Sequence, residues 1–123
     1  MSFLSVLDQP GFLILDGALG TELSRRGIPI ELPLWSADAV LHNPQAISVI
    51  HQEYLEAGAD ILTTATFRTD PLTFAKAGLS AVQAEKVIHN AVDLAREAIE
   101  IVRPSCRIWI ADSMAYEEDI KFN

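Results

Sequence analysis

Apolar and polar positions change rhythm several times along the chain, and each change marks an element. Residues Phe12 to Leu15 form a continuous apolar run between Gly11 and Gly17, the pattern of a short strand buried on both faces. From Asn43 the rhythm becomes helical. Asn43 suits an N-cap, Pro44 the first helical position, and Ile47, Ile50, Tyr54 and Ala57 recur on one face until Gly58. Between these elements, Thr21 to Arg26 and Ser36 to Leu41 read as short helical turns in a proline-bearing loop.

A second strand is predicted over Ile61 to Phe67, where β-branched, aromatic and small apolar residues lie between Gly58 and Asp70-Pro71. That dipeptide starts a short helix ending near Gly78. Ser80 and Gln83 then have capping-box spacing, and Val87, Ile88, Ala91, Ala95, Ala98 and Val102 continue an apolar stripe up to Pro104. A third strand follows in the segment RIWIA, 107–111. Strands separated by crossovers of this length run parallel, which gives an α/β layer architecture. Parallel strands all end on one side, so Asp16, Thr64, Thr66, Asp112 and Ser113 are expected along one rim, where such folds place their ligands.

Composition narrows the classes of function. The 123 residues are half apolar, with 9 basic and 17 acidic side chains and a net charge of -8. With no lysine or arginine cluster, neither nucleic acid nor an anionic membrane surface is an expected partner. No segment has the length of a membrane span, the first residues lack the pattern of a signal peptide, and Cys106 has no second cysteine to pair with. A cytoplasmic chain is the reading. Cys106, at the start of the third strand, is expected to be small, mostly buried and inert. His42, His51 and His89 lack metal-ligand spacing and are expected on the surface.

Four residues stand out at the rim. Asp16 fits a turn former, yet a carboxylate ending a buried strand is costly to desolvate unless paired, and a ligand ammonium group would supply the pairing. Thr64 and Thr66 suit a strand by propensity alone, but alternation puts both hydroxyls on one face, able to bond a substrate. Phe67 and Arg68 sit just above them, Arg68 being either a surface residue or a carboxylate binder. Neither Lys76 nor Lys86 is at a strand end, so a Schiff-base aldolase or sugar-phosphate barrel is a weaker alternative.

The segments ILDGALGTELSRRGI, LWSA, NPQAISVIHQEYLEAGADILTTATFRT and KAGL together resemble the amino-terminal third of the homocysteine S-methyltransferase family. The resemblance covers roughly Leu13 to Ser113. It implies a TIM-type (β/α)8 barrel that moves a methyl group from a sulfonium or similar donor to the homocysteine thiol, giving methionine. It also implies a zinc ion on three cysteine thiolates that holds the substrate as thiolate, the reactive form. Asp16 matches the family's acid facing the substrate ammonium, and Thr64, Thr66 and Phe67 match the second-strand segment lining the same mouth. About 250 residues make such a barrel, so residues 1–123 read as one partial domain holding its first three strands, truncated thereafter. The tail 114–123 departs from the family pattern. No metal ligand and no catalytic residue is expected in this stretch, and the chain alone is expected to be an inactive fragment. The alternative is a non-catalytic partial-barrel module that associates with itself or another chain through exposed strand edges.

Overall fold

The computed structural model describes residues 2–67 and 69–113. Its elements are α1 (Phe3–Leu7), α2 (Gly20–Arg25), α3 (Ala37–His42), α4 (Pro44–Glu56), β1 (Ile61–Thr63), α5 (Pro71–Lys76), α6 (Ala81–Val102) and β2 (Trp109–Ala111). Arg68 and the tail 114–123 lie outside the described residues.

The long helices follow their sequence signals. In α6, Ser80 Oγ accepts from the Gln83 amide at 3.2 Å while the Ser80 amide donates to Gln83 Oε1 at 2.9 Å, completing the expected capping box. Arg103 closes the helix in the left-handed conformation just before Pro104. Helix α5 starts where Asp70 Oδ1 accepts from the Thr73 amide at 2.8 Å. Helix α4 begins with Pro44 as expected, but the Asn43 side chain makes no cap bond. Helix α1, capped by Ser2, carries no periodicity long enough to be read in advance. It sets Phe3 edge-on to Trp109 at 5.2 Å. No described helix is long and apolar enough to cross a membrane.

Strands are shorter and fewer than expected. β1 and β2 pair in parallel with Ile61 opposite Trp109 and Thr63 opposite Ala111. The predicted strand 12–15 reaches the sheet as one parallel bridge, Leu15 to Ile61, with the Asp16 amide donating to the Ile61 carbonyl at 2.9 Å. Its expected burial on both faces does not occur: Phe12 is 86%, Ile14 46% and Leu15 59% exposed. Only β1 pairs with this segment among the described residues, so its other edge has no strand beside it. β1 is therefore the middle of the parallel array, and Leu62 is fully buried. Two strands form and no barrel closes among the described residues.

Helices α4 and α6 cover the face of this sheet that carries Leu62 and Ile110, while Phe3 of α1 packs on Trp109. α4 packs chiefly against α6, where Ala91, Ala95 and Ala98 let the two backbones approach. One core cluster joins Leu23, Val40, Ile47, Ile50, Phe74 and Val87 across α2 to α6; a second joins Leu55, Leu62, Ala95 and Ala98 beneath the sheet.

Two expectations fail here. His51 is buried rather than on the surface, because it shares the α4 row of Ile47 and Leu55. Cys106 is exposed, because β2 begins only at Trp109 and leaves Cys106 in the preceding turn, its Sγ 3.7 Å from Asp60 Oδ1.

Candidate functional site

At the carboxyl ends of the strands, a cavity of about 290 Å³ is lined by the turn Gly17 to Thr21, by Trp35 and Ser36, and by Thr63, Thr64, Phe67 and Ser113. The parallel arrangement brings these together, since the segment after Leu15, the end of β1 and the end of β2 all finish on this side.

Asp16 stands at the junction of two of them. One carboxylate oxygen accepts from the Thr63 amide at 2.9 Å and the other from the Thr63 hydroxyl at 3.0 Å. Burial pushes its pKa up, and the Thr63 bonds oppose that shift without cancelling it. Among the described residues no cationic side chain helps to hold its charge. The carboxylate is thus satisfied as an acceptor yet electrostatically unpaired.

Thr64 and Thr66 are both buried, with hydroxyls 2.7 Å apart. Thr66 Oγ1 also donates to the Ser113 carbonyl at 2.9 Å, and Thr64 Oγ1 lies 3.3 Å from Asp112 Oδ1. The two threonines come together where the chain bends beyond β1, not by strand alternation, and tie the end of β1 to the end of β2. Of the four sequence-predicted residues, Thr64 and Phe67 line the cavity, while Asp16 and Thr66 hold lining residues from behind.

Sequence reasoning missed two aromatic residues. Trp35 lines the cavity with an unusual positive φ of 55°, its indole Nε1 so near Gly20 that a Cβ there would lie 2.7 Å away. Tyr54 reaches the turn from α4, its hydroxyl donating to the Ala18 carbonyl at 2.7 Å. A tryptophan in a proline-bearing loop was a signal for the first. Tyr54 was hidden in the apolar stripe of its helix.

No group of three or more His, Cys, Asp or Glu side chains among the described residues is placed to hold a metal ion. Cys106 lies at the opposite end of β2 from the cavity.

The family described as homocysteine S-methyltransferase matches residues 13–119. Among individual proteins, a homocysteine S-methyltransferase of Escherichia coli is 41% identical over 96 residues, which is 78% of this chain and 31% of that one. A selenocysteine Se-methyltransferase of Brassica oleracea is 38% identical, over 79% of this chain and 28% of its own. The crystal structure of the homocysteine methyltransferase MmuM from Escherichia coli, in its metallated form, superposes with a TM-score of 0.80 at 35% identity, covering 90% of this chain and 40% of that one. The chain therefore spans about a third of the length of these relatives.

Proposed function

Because the chain belongs to the homocysteine S-methyltransferase family, we propose that it supplies the first β/α units of a barrel transferring a methyl group to the thiol of homocysteine. In this reading the cavity above β1 receives the amino-acid end of the substrate. The observation that carries it is the half-buried Asp16 carboxylate, held in place by Thr63 but with no cation among the described residues to balance it. An ammonium group brought beside it restores that balance and draws its pKa back down. Thr64, which lines the cavity with Thr66 bonded behind it, then orients the substrate's polar groups, and Phe67, 40% exposed at the mouth, packs on its thiol-bearing chain.

Zinc, which the family resemblance implies, supplies the thiolate form of the substrate when bound. The described residues do not fit such an ion: they hold no suitable cluster, and their one cysteine is at the wrong end of the sheet. What these residues contribute is binding and orientation of the amino acid.

Calorimetric titration of the chain with L-homocysteine, beside the variant Asp16→Asn, tests this. Asparagine still accepts from the Thr63 amide but removes the charge, and a charged hydrogen bond is worth about 1.5–3 kcal/mol, so binding is expected to weaken roughly 10- to 100-fold. Affinity should also rise as pH rises through the Asp16 pKa, since only the ionised form attracts the ammonium. Equal affinity in the two proteins removes Asp16 from the site, and no binding by the wild type sinks the reading of the cavity.

A second reading, association of the chain with itself, is favoured by the exposed apolar edge at Phe12, Ile14 and Leu15. A species that stays monomeric in light scattering as concentration rises rejects it.

A further inference from the structure

We propose that Tyr54, on α4 and outside the sequence-predicted site, is the positioning residue that fixes the turn walling the cavity. This rests on the reading of the cavity as an amino-acid site. Among the described residues, the amides of Gly17, Ala18 and Leu19 donate no main-chain hydrogen bond, so the turn does not hold its own shape. At its far end Leu19 packs against the core and its carbonyl accepts from the Leu23 amide at 2.9 Å; before that the turn is held at two points. One is Asp16, tied to β1 through Thr63 and the Ile61 carbonyl. The other is the Ala18 carbonyl, which accepts from the Tyr54 hydroxyl.

Gly17 shows how close this second contact is. A Cβ on Gly17 would lie 2.8 Å from the Tyr54 hydroxyl oxygen and 3.1 Å from its ring carbons, and no positive φ is involved. Glycine is needed there for space, so that the ring and the turn can meet. The ring itself is well anchored. It projects from a 13-residue helix and packs against both core clusters. Tyr54 thus transmits the rigidity of the α4–α6 pair to a stretch of main chain that lines the cavity and is otherwise tied only at its ends, by Asp16 and by Leu19 at the start of α2.

The test compares the wild-type chain with Tyr54→Phe, which keeps the ring and deletes only the hydroxyl. Nitrogen-15 relaxation is expected to show order parameters falling at Gly17 to Leu19 and unchanged along α4. The dissociation constant for L-homocysteine is expected to rise about fivefold, the loss of one ordinary hydrogen bond. Ser80→Ala, which weakens the cap of α6 and does not touch the cavity lining, should leave that constant at the wild-type value, separating positioning from general stability. Unchanged order parameters at the turn, or an unchanged constant in Tyr54→Phe, overturns the proposal. Should the wild type bind no homocysteine, the amino-acid reading of the cavity falls, while the relaxation comparison still decides whether Tyr54 holds the turn.

Discussion

Mild acid is expected to weaken the α4–α6 pair through His51. Its side chain is 1% exposed, and neither ring nitrogen has a hydrogen-bond partner among the described residues. Burial pushes its pKa from 6.5 down to about 4. The unfolded chain takes up this proton below about pH 6.5, the folded chain only near 4. Between those values the unfolded state holds more protons, so stability is full above the unfolded pKa and falls as pH falls through the window. Integrating the two titrations gives a loss of about 2 kcal/mol by about pH 5 and about 3 kcal/mol in all. Among the described residues no charged group offsets it. The charged residues of α6, Glu85, Lys86, Asp93, Arg96, Glu97 and Glu100, are all exposed, as are Glu53 and Glu56 on α4. Asp16, whose pKa burial raises, works in the opposite sense, because its folded form holds more protons. Urea unfolding of the wild type and His51→Leu, at about pH 7, 6 and 5, isolates the histidine. The variant buries no unpartnered polar atom, a cost of about 1–3 kcal/mol in such sites, so it should be at least as stable near neutrality and lose less on acidification. A variant that loses as much as the wild type between pH 7 and 5 would refute this account of His51.

Other consequences concern packing and capping. Phe74 is the largest fully buried side chain among the described residues and joins α5 to the main core, so Phe74→Ala should cost about 3–5 kcal/mol, read as a lower urea midpoint. Ser80→Ala removes the Oγ acceptor of the capping box while its amide still donates to Gln83, and should cost about 1 kcal/mol, seen as a lower melting temperature.

What the sequence revealed depended on whether an element explains its own residues. Helix α6 was legible almost to the residue, because a capping box, a long apolar stripe and a proline stop agree. The predicted strand 61–67 overran β1, because β-branched composition continues after the chain bends. The hydroxyls of Thr64 and Thr66 are there engaged with Asp112, Ser113 and each other rather than packed in a ladder. Thr64 and Phe67 were found at the cavity because parallel strands end on one side. Tyr54 and Trp35 were not, because each comes from an element whose local pattern gives no sign of where its side chain goes. His51 had a readable signal in its spacing from Ile47 and Leu55, which outweighed the general tendency of histidine to lie at the surface.

The run Phe12 to Leu15 carries information of a different kind. Burial on both faces is something a strand acquires from its neighbours: β1 has a partner on each side, and its Leu62 is fully buried. The segment beside it has a partner on one side only, although its composition is the more uniformly apolar of the two. Full burial of an apolar side chain is worth about 1.5–3 kcal/mol, so covering the exposed 86% of Phe12, 46% of Ile14 and 59% of Leu15 would contribute about 3–6 kcal/mol, a large part of the stability of an ordinary domain, about 5–15 kcal/mol. Such a sequence is adapted to a covered environment. In the proposed barrel, further β/α units provide it; in a self-associated form, a second copy does. Either way the apolar edge and the cavity are linked through Asp16, whose amide bonds β1 at the end of that edge and whose carboxylate holds Thr63 at the cavity wall. Covering the edge therefore restrains the same residue on which substrate recognition is proposed to depend.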